Sequence, residues 1–203
     1  MFKKIDFFFF GWIINWIYPE YYRPKYCYQL YYILFFHYLI PQKLFRLNPK
    51  VNWPVHFTSK VLSPENITKG VLCDPGDNLN NYIQASNGII FGSNIELGPG
   101  VSIISSNHKS SNFREHTKSK PIHIGNNVWI GANTTVLPEV SIGNNVIIGA
   151  NSVVTKNIPN NSIAFGNPCK VVKQKELYTE DFSKIIFNKT LPEKFKKFLK
   201  SNV

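Results

Sequence analysis

Apolar residues recur at every sixth position over most of this chain. Counting in sixes from one valine gives nine apolar positions: Val55, Val61, Ile67, Cys73, Leu79, Ala85, Phe91, Leu97 and Ile103. A second series has six members: Ile124, Ile130, Val136, Ile142, Ile148 and Val154. A helix repeats every 3.6 residues and a strand every two. A period of six therefore indicates short strands and turns wound into a prism, with these side chains pointing inward.

Small residues follow the apolar positions of the second series. The triplets GNN and GAN occupy residues 125–127, 131–133, 143–145 and 149–151. Glycine and asparagine suit corners, because they tolerate a positive φ or tight packing. We therefore predict an all-β solenoid, a parallel β-helix over residues 51–173. The alternative is a chance aliphatic rhythm within a β-sandwich.

The two series are out of phase with each other. Ile103 and Ile124 are 21 residues apart, which is not a multiple of six. We therefore predict a loop at residues 104–121 that is extruded from the prism wall. Loops held by a rigid scaffold often carry function. His108 lies near the start of this loop and is either a solvent-exposed side chain or a functional one, with His116 as the competing loop histidine.

The segments on either side of the repeat have a different composition. Residues 1–50 hold 18 of the 30 aromatic residues, in two apolar stretches at 7–18 and 26–40. Each stretch is shorter than the roughly 20 residues that a membrane-spanning helix needs. We interpret them either as helices lying on a membrane surface or as a helical cap packed on protein. In the first case anionic lipid would face Lys3, Lys4, Arg23, Lys25, Lys43 and Arg46. Residues 174–203 have the pattern of a basic helical tail.

Charge and cysteine content narrow the possible partners. The formal net charge is +11, which suits an anionic membrane or phosphorylated small molecules. We expect no nucleic-acid partner. The three cysteines, Cys27, Cys73 and Cys169, form no CxxC pair, so we expect no metal site and a reducing compartment. No leader with a cleavage site is recognisable, and we expect the cytoplasm or the inner face of the membrane.

Residues 124–173, "IGNNVWIGANTTVLPEVSIGNNVIIGANSVVTKNIPNNSIAFGNPCKVVK", resemble the hexapeptide-repeat acyltransferases. The segments "NNVWIG", "VVTKNIP" and "GNPCKVV" resemble most closely the branch of maltose, galactoside and nodulation-factor O-acetyltransferases and its polysaccharide-modifying relatives. The resemblance covers residues 51–173. It implies a left-handed parallel β-helix, a homotrimer with active sites between subunits, and acetyl-coenzyme A as co-substrate.

The same resemblance suggests roles for individual residues. His108 matches the catalytic histidine of the family, and the segment "NYIQASNG" at 81–88 resembles one that faces the acceptor, through Gln84 and Asn87. The matches to coenzyme A contacts are Trp129 near the reactive end, Ala132 and Ala150 along the pantetheine, and Thr155, Lys156 and Lys170 near the adenine and phosphates.

The chain differs from the family pattern directly after His108. Sugar acetyltransferases usually have proline there, with an acidic residue soon after, whereas this chain has Lys109 and Ser110. The loop also contains Arg114, Lys118 and Lys120, which favours an acidic acceptor.

Together these features lead us to expect direct O-acetylation of a sugar or of a polysaccharide, lipopolysaccharide or capsule precursor, with histidine as general base. An imidazole suits that role because its unperturbed pKa is near neutrality. No GxSxG motif suggests a serine nucleophile. Two alternatives stay open: a serine-type or amino-sugar N-acetyltransferase, and a non-catalytic interaction module.

Overall fold

Three parallel β-sheets form the walls of the repeat domain. The computed structural model describes residues 5–18 and 30–179. Sheet A contains β1 (Lys60–Leu62), β3 (Tyr82–Gln84), β6 (Ser102–Ile104), β11 (Thr135–Val136) and β14 (Val153–Val154). Sheet B contains β2 (Ile67–Thr68), β4 (Ile89–Phe91), β9 (Ile122–Ile124) and β12 (Ser141–Ile142). Sheet C contains β5 (Ile95–Leu97), β10 (Val128–Ile130), β13 (Val146–Ile148), β15 (Ser162–Phe165) and β16 (Lys170–Gln174).

Successive coils of the chain stack on one another. In the later coils the chain visits sheet A, then B, then C, and each strand pairs with the strand one coil away. Among the strands of these three sheets, all pairings are parallel except that of β15 with β16. The predicted parallel β-solenoid over the repeat region is therefore confirmed.

Columns of aliphatic side chains fill the interior. In sheet A, Ile83 pairs with Ile103, Ile103 with Val136, and Val136 with Val154, and all four are fully buried. Each side chain thus packs on the equivalent one in the next coil. Removing this apolar surface from water supplies the main driving force for winding the chain.

The six-residue rhythm holds strictly only between residues 124 and 154. Val136 and its partner Val154 are eighteen residues apart, which is three sixes. Val61 and Ile83 are twenty-two apart, and Ile83 and Ile103 are twenty apart. Leu79 lies in the turn where this spacing changes, and it is 47% exposed, so the prediction that it points inward is wrong. Ile83 takes the interior place instead.

Glycine and asparagine have different roles at the corners. The last residue of each GNN or GAN triplet has a φ between 56° and 58°: Asn127, Asn133, Asn145 and Asn151. Asparagine tolerates this left-handed conformation better than most residues. The glycines are required by packing, since a Cβ on Gly131 would lie 2.5 Å from the backbone nitrogen of Ala150 in the next coil. The predicted corners are therefore confirmed.

Two helices precede the solenoid, where the apolar stretches predict them. Helix α1 comprises a π-helical segment, Phe7–Gly11, that continues as α-helix Trp12–Ile17. Helix α2 begins as Tyr31–Leu34 and continues as π-helix Phe35–Leu44. The Asp6 carboxylate accepts hydrogen bonds from the N–H groups of Tyr31 and Tyr32, at 2.7 and 2.8 Å. At the other end of the pair, the hydroxyl of Tyr18, which follows α1, hydrogen-bonds to Gln42 near the end of α2. The two helices therefore run side by side in the same direction.

Gln42 connects the helices to the solenoid. Its side chain is fully buried. The Oε1 atom accepts hydrogen bonds from the Tyr18 hydroxyl at 2.8 Å and the Val55 N–H at 3.3 Å. The Nε2 atom donates to the carbonyls of Val51 at 2.8 Å and Trp53 at 3.1 Å. One amide therefore satisfies polar groups from both helices and from the strand-free segment that leads into β1.

The C-terminal prediction is only partly within the described residues. Gln174 ends β16, and residues 175–179 contain no helix. The rest of the predicted helical tail lies outside the described residues, as do Lys3, Lys4, Arg23, Lys25 and Cys27. Within residues 5–18 and 30–179, no helix combines the length and the apolar character needed to span a membrane.

We expect the Gln42→Ala substitution to destabilise the protein by about 2–4 kcal/mol, because it leaves several buried polar groups without partners. Urea unfolding followed by circular dichroism measures this change. The matched control is Gln174→Ala on the exposed strand β16, which should change the free energy of unfolding by less than about 0.5 kcal/mol. Equal effects of the two substitutions would contradict this description of the junction.

Candidate functional site

The loop at 104–121 forms a small hairpin on one edge of the prism. It leaves the wall between β6 of sheet A and β9 of sheet B. Within it, β7 (His108–Lys109) pairs antiparallel with β8 (Asn112–His116). His108 lies directly opposite His116, with 4.4 Å between the ring centroids, and both side chains are exposed. The hairpin thus presents two adjacent imidazoles to solvent.

Asn87 holds the two stems of this hairpin together. Its Nδ2 atom lies 3.0 Å from the Ser105 carbonyl, 2.9 Å from the Thr117 carbonyl and 2.8 Å from the Ser119 hydroxyl. The Ser119 hydroxyl also donates to the Ser105 carbonyl at 2.8 Å. Ser105 precedes His108 by three residues, so these contacts fix the backbone from which His108 projects.

Gln84 supports the same stem from inside the wall. Its side chain is buried, and its Oε1 atom accepts a hydrogen bond from the Ser105 N–H at 3.1 Å. Gln84 and Asn87 therefore lie on the same edge as His108, one coil away. Their contact with an acceptor remains a prediction, and their contact with the loop is an additional role that the sequence did not reveal.

The charges of the hairpin are partly compensated. Lys109 forms an ion pair with Glu115, and this contact, together with a hydrogen bond from Asn112, holds the pKa of the Glu115 carboxyl below its usual range. The side chains of Arg114, Lys118 and Lys120 are exposed. The basic character of the loop therefore resides mainly in these three residues.

Trp129 lies on the outer face of sheet C. It is 55% exposed, and its strand neighbours are Glu96 on one side and Ile147 on the other. Lys175 and Tyr178 from the segment after β16 line the same shallow groove. An exposed indole between residues of the two adjacent strands offers a flat apolar surface to a ligand or to another subunit.

The remaining predicted contacts are distributed over different edges of the prism. Ala132 and Ala150 lie at the corner between sheets C and A, each directly after a corner glycine. Thr155 and Lys156 follow β14 at the corner between sheets A and B, which is the edge that carries the hairpin. Lys170 begins β16 at the end of sheet C. Thr155, Lys156 and Lys170 are exposed.

The structure therefore separates the predicted site residues into two groups. His108, Gln84 and Asn87 share the A–B edge with Thr155 and Lys156. The second group lies on sheet C or at its ends: Trp129, Ala132, Ala150 and Lys170. In a three-sided prism, sheet C is the wall opposite the A–B edge. One copy of the chain consequently does not bring His108 and Trp129 together.

The stem residues are the part of the site that sequence reasoning missed. Ser105, Thr117 and Ser119 are small polar residues near the two ends of the loop, and nothing in the sequence distinguishes them from the other serines of the loop. In the described part of the chain, no three His, Cys, Asp or Glu side chains are grouped so that they could hold a metal ion.

Comparison with known proteins identifies related sequences. The family "Bacterial transferase hexapeptide (six repeats)" matches residues 121–156. A galactoside O-acetyltransferase from Lactococcus lactis is 39% identical over 108 residues, which cover 52% of this chain and 51% of that protein. The chain spans about a third to a half of the length of the curated relatives it matches.

Solved structures extend the match. A galactoside acetyltransferase in complex with coenzyme A is 33% identical, with a TM-score of 0.50, and the match covers 61% of this chain and 68% of that one. A serine acetyltransferase from Neisseria gonorrhoeae has a TM-score of 0.56 at 16% identity and shows the fold alone, with coverage of 93% of this chain and 74% of that one. The six-residue repeat, the three parallel sheets and these matches together show that the chain belongs to the hexapeptide-repeat acetyltransferases.

Proposed function

We propose that this protein transfers an acetyl group from acetyl-coenzyme A to a hydroxyl of a saccharide, with His108 as general base. The observation that carries the proposal is the placement of His108. It is exposed on a short hairpin whose stem is anchored to a rigid prism edge by Asn87 and Gln84. Galactoside acetyltransferases among the relatives support the reaction class.

The reaction needs one proton acceptor and no covalent enzyme intermediate. In the proposed step, a ring nitrogen of His108 accepts the proton of the acceptor hydroxyl while the hydroxyl oxygen attacks the thioester carbonyl carbon. A C–O bond forms, and the resulting oxyanion is stabilised by nearby N–H donors. The C–S bond then breaks, and the imidazolium returns its proton to the departing thiolate. A general base of this kind typically contributes about 10²–10⁴-fold to the rate.

The surface around sheet C has features that fit coenzyme A. The exposed indole of Trp129 offers an apolar contact for the pantetheine arm, and the small residues Ala132 and Ala150 leave room beside the backbone. Lys170, exposed at the end of sheet C, suits the phosphates of the cofactor, and the exposed Lys156 on the A–B edge would reach them from a neighbouring copy. The related galactoside acetyltransferase has been solved in complex with coenzyme A.

The separation of His108 from Trp129 supports an oligomeric site. A thioester placed along Trp129 of one copy would meet a base from a neighbouring copy, whose A–B edge packs against that wall. The proposal therefore includes a homotrimer with active sites between subunits, and the left-handed winding that the family resemblance implies. Symmetric closure would give three equivalent sites.

The hairpin favours an acceptor that carries negative charge. Arg114, Lys118 and Lys120 are exposed next to the proposed base, while the charge of Lys109 is compensated by Glu115. A saccharide with a carboxylate or phosphate group complements this arrangement. The proposed acceptors are sugars and precursors of polysaccharide, lipopolysaccharide or capsule.

The substitution His108→Ala should lower kcat/KM for acetyl transfer by at least about a hundredfold. The matched control is His116→Ala, which removes the neighbouring imidazole and should retain most of the activity. Thiol release from acetyl-coenzyme A, measured with neutral, amino and acidic saccharides and with serine, gives both the rate and the acceptor class. Full activity in His108→Ala, or faster turnover with serine or with the amine of an amino sugar than with any saccharide hydroxyl, would overturn the assignment.

The substitution Asn87→Ala should loosen the hairpin without unfolding the solenoid, because it removes the contacts that join its two stems. We expect amide hydrogen exchange in residues 106–117 to accelerate by about tenfold or more. We also expect kcat to fall while binding of coenzyme A is unchanged. The matched control is Asn126→Ala at another corner, where the side chain accepts a 2.7 Å hydrogen bond from the Ser93 N–H. Unchanged exchange in the hairpin of Asn87→Ala would show that the stem is held by other contacts.

A further inference from the structure

The exposed side chains of helix α1 are all apolar. They are large as well: Ile5, Phe7, Phe8, Phe9, Trp12 and Trp16, of which all but Phe7 recur at helical spacing. Phe8 is 72% exposed and Trp16 is 77% exposed. Asp6 is the only charged residue between residues 5 and 18, and it is buried against the first turn of α2. This face therefore exposes large apolar side chains to solvent with no charge among them, which is unusual for a protein surface.

The apolar face continues onto helix α2. The Phe10 ring lies 5.2 Å from that of Phe35 and 5.9 Å from that of Phe36, measured between centroids. Phe36 is itself exposed, as is Tyr32 one turn earlier. We call the exposed apolar residues of α1 and of the first part of α2 the aromatic face: Ile5, Phe7, Phe8, Phe9, Trp12, Trp16, Tyr32 and Phe36.

Basic residues follow the aromatic face along the chain. Lys43, Arg46 and Lys50 are exposed at and after the end of α2, and the exposed Leu44 and Phe45 lie between the first two. Residues 31–50 contain no aspartate or glutamate. Lysine and arginine next to exposed apolar side chains match the headgroup region of an anionic membrane, where each cation is attracted to the lipid surface.

From this arrangement we propose that the aromatic face docks on the surface of an anionic lipid bilayer. Tryptophan and tyrosine side chains favour the boundary between headgroups and acyl chains, because one end of each ring system is apolar and the other is polar. The eleven residues from Phe7 to Ile17 reach about 17 Å at 1.5 Å per residue, short of the roughly 30 Å hydrocarbon core. The helix pair therefore lies in the interface.

Charge complementarity favours lipid over a second copy of the chain. A second copy would bring an identical set of cations toward Lys43, Arg46 and Lys50, and juxtaposed like charges oppose association. An anionic bilayer supplies the opposite charge to all three. Docking requires only the two helices and the residues after them, so the inference is independent of the proposed acetyl transfer and goes beyond it.

Gln42 gives the docking a structural consequence. It hydrogen-bonds the C-terminal part of the helix pair to the segment that enters the solenoid. Docking of the helices on a bilayer would therefore also hold the solenoid at the membrane, through the buried hydrogen bonds of Gln42. The hairpin would then work close to a membrane surface, where lipid-linked saccharides are available as acceptors.

Binding to vesicles tests the proposal with the full-length protein. We expect co-sedimentation with phosphatidylcholine vesicles that contain phosphatidylglycerol, weaker binding to pure phosphatidylcholine, and weaker binding at high salt, which screens the cations. The combined variant Phe8→Ser, Trp12→Ser and Trp16→Ser should bind at least about tenfold more weakly. The matched control is Leu79→Ser, which removes an exposed apolar side chain from the solenoid and should bind as the wild type does.

Tryptophan fluorescence locates the contact. The chain has four tryptophans, of which Trp53 is buried and Trp129 lies on sheet C. A blue shift on adding anionic vesicles that disappears in Trp12→Phe with Trp16→Phe, while binding persists, would support docking through this face. Wild-type binding by the serine variant would overturn the proposal. So would a loss of self-association in that variant, measured by sedimentation velocity, with no vesicle binding by the wild type, because the face would then be an interface between copies.

Discussion

The stacking of aliphatic side chains inside the prism is the constraint on which the rest of the structure depends. Ile83, Ile103, Val136 and Val154 must remain above one another for the interior to stay dry, so each coil has to return to the same register. The corners meet this requirement through residues that accept close packing or a positive φ. Extra residues can only be accommodated outside the wall. The hairpin that carries His108 is such an insertion, and its position on one edge follows from the register of the coils around it.

The sequence predicts the burial and backbone conformation of those residues on which the stacking imposes a repeat. Between residues 124 and 154 the coils repeat every eighteen residues, and there the apolar series and the corner asparagines predict both burial and backbone conformation. Leu79 shows where this reasoning fails. The two coils before the hairpin span twenty-two and twenty residues, which exceed eighteen by four and by two. The two excesses add up to six, so the count in sixes is back in phase at Ile103 and shows no break at Leu79.

The candidate site was predictable in a different way. His108 could be located because it begins the only long interruption between the two apolar series. The packing of His116 against it depends on the antiparallel pairing of β7 and β8, which has no signature in single residues. The contacts of Asn87 with Ser105, Thr117 and Ser119 join residues up to 32 positions apart, and such long-range hydrogen bonds arise only when the coils are stacked.

The A–B edge and the helix pair expose different kinds of side chain to their surroundings. The A–B edge offers an imidazole and exposed cations, whereas the helix pair offers aromatic rings next to cations. Both suit partners that carry negative charge, in agreement with the formal net charge of +11. The solenoid separates the proposed base from the proposed cofactor wall, so the proposed site would be completed by a second copy of the chain.

A subunit-mixing experiment tests whether the active site is shared between two copies of the chain. His108→Ala and Trp129→Ala are each expected to be severely impaired alone. After co-refolding in equal amounts, a fraction of sites would combine an intact His108 from one copy with an intact Trp129 from its neighbour. We expect recovery of about a quarter of the wild-type acetyl-transfer rate in co-assembled oligomers, because each of the two copies that form a site is the suitable variant in half of the cases. Co-assembly without any recovery would contradict a site shared between copies.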